Sequence, residues 1–309
     1  MSSVVNSGNG VPMQEFFVGA APQQMYVQRW QPFCGTQRRT VPVVLVHGGA
    51  HTGSAWTTTP DGRPGWAFEF AARGWDVYVI DWPGTGRSGT VPENVADEVD
   101  DLVRPLEALL ARIGPAALVG HSIGASLSFK AAERAPGSVL AIAAMAPASV
   151  ETPVDGWQPA PADQWTTIPA DLARIIFANA PRFPHEAFDN YARSLVSFSP
   201  QINNAALGFT DGLRTTPGSG APWGKQIPVL LLAAEEDQTV PLVRAHQMEI
   251  ALGVPMTTLG GDWGLPGHGH LFIVEKGSDV IAARVETWLT QAVGAAETAT
   301  ASAIDLQNN

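Results

Sequence analysis

The stretch ALVGHSIGAS, residues 117–126, runs from three apolar residues through Gly-His-Ser-Ile-Gly into a row of small residues. This pattern predicts a strand that turns sharply into a helix, with Ser122 at the turn. Gly120 and Gly124 keep Cβ atoms out of the crowded corner. Such a turn exposes the serine hydroxyl and points the next backbone N–H groups, at a helix N-terminus, towards a bound ligand. Ser122 is therefore the candidate nucleophile around which the rest of the chain is interpreted.

Apolar runs and helical patterns alternate on both sides of Ser122 at intervals of about 30 residues. This alternation predicts an α/β fold with a doubly wound, mostly parallel sheet of about eight strands. Two further short strands, over 14–20 and 24–30, are expected as an antiparallel edge. The main strands are predicted over 41–46, 75–80, the apolar residues 117–119 before the Ser122 turn, 139–145 and 227–233, with a short strand around 256–259.

The texture of the sequence changes between residues 151 and 226, where prolines are frequent and two short helical patterns lie among loops. We predict one discontinuous core domain, 1–150 and 227–294, with an inserted helical cap over 151–226. Residues 295–309 are rich in Ala and Thr without periodicity, and are predicted to be a disordered tail.

Composition excludes several classes of function. The net charge of −11, without any Lys/Arg cluster, argues against a nucleic-acid partner. No apolar run approaches the roughly 18 residues of a membrane span. A single cysteine, Cys34, excludes an internal disulfide. The first 14 residues lack a basic and an apolar leader region, which predicts a cytoplasmic protein. The oligomeric state is left open, with a homodimer as one option.

Two glycine-rich segments carry a resemblance to a known family. Residues 47–56 read HGGAHTGSAW and residues 59–66 read TPDGRPGW. Together with the strand–Ser122–helix turn, they resemble the α/β-hydrolase superfamily over about residues 40–293, and within it a group of small microbial serine esterases. The resemblance implies a serine carboxylesterase that forms an acyl-enzyme, with an oxyanion hole made by the backbone N–H groups of Gly49 and Ile123. The chain departs from the group because Ala146 stands where the group has a glutamate and because the cap is long.

A serine hydroxyl needs a base within hydrogen-bond reach, and that base needs a carboxylate to fix its tautomer. The chain order expected on this fold is serine, acid, histidine, and Ser122, Asp237 and His270 satisfy it. Each follows a predicted strand end, where the loops of a parallel sheet converge. Alternatives remain for two of the roles. Glu151, Glu235 and Glu236 are other candidates for the acid, and His268 is another candidate for the base.

The histidines of the glycine-rich loop have different expected roles. His47 is expected to be structural, whereas His51 is one candidate for a residue that faces the pocket. The scattered histidines lack zinc-binding spacing, so neither a metal nor an organic cofactor is expected.

The sequence thus favours a hydrolase of small-molecule carboxylic esters. Lactones, amides or C–C bonds alpha to a carbonyl could be cleaved by the same groups. A ligand-binding module that kept the fold and turns over slowly is the alternative from another class.

Overall fold

A nine-stranded sheet forms the centre of the computed structural model, which describes residues 3–6, 12–89, 99–148, 153, 156–215, 223 and 226–307. In chain order the strands are β1 (Ser3–Asn6), β2 (Pro12–Val18), β3 (Met25–Trp30), β4 (Val43–Val46), β5 (Val77–Asp81), β6 (Ala116–His121), β7 (Val139–Met145), β8 (Val229–Ala233) and β9 (Met256–Thr258). The helices are α1 (Ser54–Thr57), α2 (Trp66–Ala72), α3 (Val99–Ile113), α4 (Ile123–Arg134), α5 (Ala170–Ile176), α6 (Phe188–Ser194), α7 (Pro200–Ala206), α8 (Leu242–Leu252) and α9 (Ser278–Gln307).

The strands lie in the order β1-β2-β3-β5-β4-β6-β7-β8-β9. Pairing is antiparallel from β1 to β5 and parallel from β5 through β4 to β9. The predicted doubly wound, mostly parallel α/β sheet is therefore confirmed. The described sheet has one strand more than the roughly eight expected, because the polar segment that forms β1 adds to its antiparallel edge.

The middle of the sheet is apolar on both faces. Every residue of β4, β5, β6 and β8 is buried, as expected where helices cover both sides of parallel strands. Helix α4 packs on β6 and β7, and α9 packs on β7 and on α2. Because β4, β6, β7 and β8 are parallel neighbours, their carboxyl ends lie along one edge of the sheet, which is where ligands bind in open α/β sheets.

Three short helices, α5, α6 and α7, lie between β7 and β8 in the chain. They fall within the segment predicted to be a cap. Glu151 lies outside the described residues.

The carboxyl terminus differs from expectation. Helix α9 runs on to Gln307, so the segment predicted to be a disordered tail is helical up to that residue. Its many alanines have the highest intrinsic helix propensity, and this extends the helix without an apolar periodicity. No helix within the described ranges is both long and apolar enough to cross a membrane.

Candidate active site

Ser122 occupies a strained turn between β6 and α4. Its backbone angles are φ 53° and ψ −122°, and its N–H donates to the carbonyl of Met145 at 2.8 Å. A positive φ is costly for a residue with a Cβ and persists only where the surroundings enforce it. The flanking glycines are needed sterically, because a Cβ on Gly120 would lie 2.5 Å from the Gly124 oxygen and a Cβ on Gly124 would lie 2.2 Å from the Val46 oxygen. The turn therefore explains the Gly-x-Ser-x-Gly spacing.

A buried imidazole–carboxylate pair lies at the ends of two other loops. His270 Nδ1 is 2.8 Å from Asp237 Oδ2, and both side chains are at most 1% exposed. The second carboxylate oxygen of Asp237 accepts the backbone N–H groups of Thr239 and Val240 at 2.8 and 2.7 Å. Because the carboxylate only accepts, it holds the proton of His270 on Nδ1 and leaves Nε2 as the basic nitrogen.

His121 joins the Ser122 turn to the His270 loop. Its Nε2 lies 2.8 Å from the carbonyl oxygen of His270, and the two rings are 4.7 Å apart. A carbonyl accepts only, so His121 Nε2 donates. Burial lowers the pKa of His121 well below its usual range, and the ring stays neutral. The ring of Phe177 also stacks on His270 at 5.6 Å with an angle of 19°. The imidazole of His270 therefore contacts two rings.

A narrow apolar cavity of about 70 Å³ opens onto Ser122, with Gly49 and Ile123 beside it. Ile123 is the first residue of α4, so its N–H has no acceptor within the helix. A Cβ on Gly49 would lie 2.6 Å from the side chain of Ile123, so the two residues adjoin. The remaining walls come largely from segments between β7 and β8 and from the Asp237 loop, and they include Trp157, Ile168, Ile176, Phe177, Phe198, Ala206, Leu207 and Val240.

The two histidines of the loop after β4 lie apart from the cavity at Ser122. His47 is fully buried, stacks on Trp82 at 5.0 Å and bonds to the carbonyl of Gly48 through Nδ1. His51 lies between the carbonyl of Gly49 and the hydroxyl of Tyr191, at 2.6 and 3.1 Å. It borders a second cavity of about 330 Å³. His51 therefore faces a pocket, but not the one that holds Ser122.

Three of the alternative candidates, Glu235, Glu236 and His268, lie within the described residues and have other surroundings. Glu235 accepts the N–H groups of Gly260 and Gly261 at 2.9 Å, and the side chain of Glu236 is exposed. His268 is paired with Glu275 at 2.8 Å, and its Nε2 has no hydrogen-bond partner among the described residues. Of these candidates, the structure thus pairs only Asp237 with His270.

Sequence reasoning counted Phe177 and Tyr191 only among the aromatic residues of the cap and gave Glu275 no role, yet all three contact or support these loops. Their contacts bridge distant parts of the fold or bury a charge, and no spacing in the sequence marks them. No group of three or more His, Cys, Asp or Glu side chains suited to a metal ion occurs within the described ranges.

Comparisons with known proteins agree with the observed sheet. The sequence model of the Alpha/beta hydrolase family matches residues 43–284. A probable secreted lipase, phiG, from a fungal species (strain ATCC 74256) is 25% identical over 89% of this chain and 88% of its own length. A novel bacterial esterase superimposes with a TM-score of 0.58 at 18% identity, covering 95% of this chain and 98% of the esterase. A malate-bound esterase from Thermogutta terrifontis superimposes with a TM-score of 0.61 at 19% identity, covering 90% of this chain and 99% of the esterase.

The fungal relative corrects one prediction. The cytoplasmic location expected from the first residues is wrong on this comparison, because the relative is named as a secreted protein. The absence of a leader pattern does not by itself locate a protein.

Proposed function

The chain belongs to the α/β hydrolase family, and on that premise we propose that it is a serine hydrolase of carboxylic esters, with Ser122, His270 and Asp237 as its triad. One observation carries the proposal: His270, in a fully buried pair with Asp237, contacts His121 directly before the strained turn of Ser122, and Ser122 lines an apolar cavity. The fungal lipase and the two esterases support esters as the substrate class.

The buried pair favours catalysis over passive binding. Removing a carboxylate and an imidazole from water is unfavourable, and a pair of this kind is often replaceable by apolar residues without loss of stability. Binding of a neutral apolar ligand would not require this buried pair. Catalysis would require it, because His270 must accept a proton and Asp237 stabilises the imidazolium that forms.

In the acylation step, the Ser122 oxygen attacks the ester carbonyl while His270 Nε2 removes the hydroxyl proton. The carbonyl oxygen becomes an oxyanion, which the N–H groups of Gly49 and Ile123 stabilise. His270 then gives its proton to the leaving alkoxide, and the C–O bond breaks. Water repeats the sequence on the acyl-enzyme, which releases the acid and restores Ser122.

We also propose that the segment between β7 and β8 acts as a cap over the nucleophile. It supplies most of the apolar walls at Ser122, through residues such as Phe177, Phe198 and Leu207. Apolar walls exclude water and thereby strengthen the hydrogen bonds that the oxyanion receives.

Turnover of p-nitrophenyl butyrate by the wild type and by Ser122→Ala tests the proposal. The matched control is Ser128→Ala, which removes a buried hydroxyl from the same helix, where it bonds to the Gly124 carbonyl. Ser122→Ala is expected to abolish turnover, and Ser128→Ala to retain it. A fluorophosphonate should add its mass to Ser122 in the wild type. Equal, near-background rates for the wild type and Ser122→Ala would refute hydrolysis and favour a binding module.

A further inference from the structure

The loop that carries Gly49 has little rigidity of its own. It contains two consecutive glycines, Gly48 and Gly49, followed by Ala50 at a φ of 60°. Glycine loses more conformational freedom on ordering than any other residue, and a positive φ is unfavourable for alanine. The oxyanion function proposed for Gly49 nevertheless requires its N–H to be fixed before the reaction, since preorganised donors stabilise the developing charge most strongly.

Residues 191–198, which follow α5 in the chain, contact this loop at Gly49, Ala50 and His51. The N–H of Val196 donates to the Ala50 carbonyl at 3.0 Å. The ring of Phe198 lies against Gly49, where a Cβ would be 3.2 Å from it. The third contact passes through His51, which lies between the Gly49 carbonyl and the Tyr191 hydroxyl.

The directions of these last two hydrogen bonds follow from the chemistry of the atoms. The Gly49 carbonyl accepts only, so His51 Nδ1 carries the proton and donates. Nε2 of the neutral ring then accepts, so the Tyr191 hydroxyl donates to it. Burial lowers the pKa of His51 to about 4 and raises that of Tyr191, and both effects keep the two groups neutral at physiological pH.

We propose that His51 and Tyr191 are positioning residues that fix the oxyanion loop through the series Tyr191 O–H to His51 Nε2 and His51 Nδ1–H to the Gly49 carbonyl. The inference rests on the proposed function, because it assigns a role to the residues that hold Gly49. Gly49 has a soft dihedral on each side of its Cα. Anchoring the Gly49 carbonyl limits rotation of the peptide that follows its Cα. Fewer free rotations then remain between this peptide and β4, so the Gly49 N–H, which belongs to the preceding peptide, is restricted in direction.

The ring of Tyr191 has a separate packing role, which the test must leave intact. It lies 5.3 Å from the ring of Phe183 and 6.1 Å from that of Phe188. Tyr191→Phe keeps these contacts and removes only the hydroxyl. Tyr78→Phe is the matched control, because Tyr78 lies on β5 and its hydroxyl bonds at 3.4 Å to Asp76, away from the cavity at Ser122.

Substitutions at His51 separate the donor from the ring. Asparagine carries an amide nitrogen close to the place of Nδ1, so His51→Asn can still donate to the Gly49 carbonyl. His51→Leu has no donor. The proposal predicts that His51→Asn rescues most of the activity that His51→Leu loses.

The readouts are kcat and KM for p-nitrophenyl acetate and the inhibition constant of a trifluoromethyl ketone, which forms a tetrahedral oxyanion on serine. Tyr191→Phe should lower kcat about 3- to 10-fold, the value of one hydrogen bond, with KM within about twofold. His51→Leu should lower kcat by about 10- to 100-fold, below the loss of a whole oxyanion donor. The ketone should bind more weakly by the same factors, while Tyr78→Phe stays at the wild-type values.

The outcomes distinguish this inference from the proposed function. If the wild type does not turn over ester or take up a fluorophosphonate at Ser122, the proposed function fails, and the inference with it. If the wild type is active and Tyr191→Phe and His51→Leu change KM or thermal stability alone, with ketone binding unchanged, the proposed function stands and the positioning role is refuted. Equal losses for His51→Asn and His51→Leu would also refute it.

Discussion

Replacement of Asp237 by asparagine should reverse the tautomer of His270. One carboxylate oxygen of Asp237 accepts two backbone N–H groups, from Thr239 and Val240. In Asp237→Asn the amide oxygen must take that place, because an NH₂ group cannot accept. The amide nitrogen then faces His270 Nδ1, where the carboxylate oxygen stood at 2.8 Å. Since this nitrogen donates, Nδ1 must lose its proton and Nε2 must carry it.

A histidine protonated on Nε2 has no lone pair for the proton of Ser122. The same tautomer error in a Ser-His-Asp protease lowers kcat by about 10⁴. At 1.36 kcal/mol for each factor of ten, this corresponds to about 5.4 kcal/mol of lost transition-state stabilisation. The fold should persist, because both backbone N–H groups keep an acceptor. Alanine is a poorer probe, since it would leave these two N–H groups without one.

The assay is the initial rate of p-nitrophenyl acetate hydrolysis, with the active-site concentration set by fluorophosphonate titration of the wild type and the melting temperature measured in parallel. Asp262→Asn is the matched control. It makes the same chemical change at an exposed carboxylate in the loop after β9, where Asp262 accepts the backbone N–H of Thr258. The reasoning is refuted if Asp237→Asn stays within tenfold of the wild-type kcat. It is also refuted if the loss is accompanied by an unfolded protein.

Three further predictions follow from other parts of the structure. The cavity at Ser122 has a volume of about 70 Å³, well below the roughly 300–1,000 Å³ of a typical ligand pocket, so kcat/KM should be highest for p-nitrophenyl acetate and butyrate and should fall steeply at octanoate and beyond. Burial lowers the pKa of His47 from 6.5 to about 4. Between these values the unfolded chain binds a proton at His47 that the folded chain does not, so the free energy of unfolding falls as the pH falls. In urea unfolding between pH 6 and 4.5, His47→Gln should therefore reduce the slope of this free energy against pH by about 1.4 kcal/mol per pH unit. Glu275→Leu should destabilise the fold to denaturant by about 3–5 kcal/mol, because it leaves the buried His268 and the Gly269 N–H without an acceptor, and Glu275→Gln should retain most of the stability.

Local patterns were sufficient for the elements that surround the nucleophile. A helix was predicted directly after the turn at Ser122, and α4 does begin at Ile123, because the glycine–serine turn fixes its first residue sterically. The apolar runs of the parallel strands were equally clear, since burial on both faces removes polar residues from them. Strand β1 was missed because it lies at the edge of the sheet and is short and in part polar.

The partners within the site needed the fold itself. The order of serine, acid and histidine pointed to Asp237, but Glu235 is two residues away and equally charged. The course of the backbone directs the Asp237 side chain towards His270, and it directs the Glu235 side chain towards the N–H of Gly260. The bond between Tyr191 and His51 joins residues 140 positions apart, and no periodicity in either segment predicts it.

The loop 267–275 shows why two histidines of similar sequence context have different surroundings. His268 and His270 both follow a glycine, yet each is bound to a different buried carboxylate. Glu275 is only seven residues from His268 and accepts the N–H of Gly269 as well, so this pair closes the loop on itself. The closure fixes the backbone immediately before His270, which leaves His270 to reach a carboxylate 33 residues away in the chain.

Two observations follow from that arrangement. Burial raises the pKa of Glu275, as expected for a carboxylate with no exposed surface, and such a group is kept only where its hydrogen bonds hold something that apolar packing cannot. The arginine of the TPDGR segment, Arg63, donates to the Val274 carbonyl at 2.9 Å and so holds the same loop. The TPDGR segment, on which part of the family resemblance rests, therefore supports the His270 loop, and the ion pair of Asp61 with Arg63 at 2.8 Å orients that arginine.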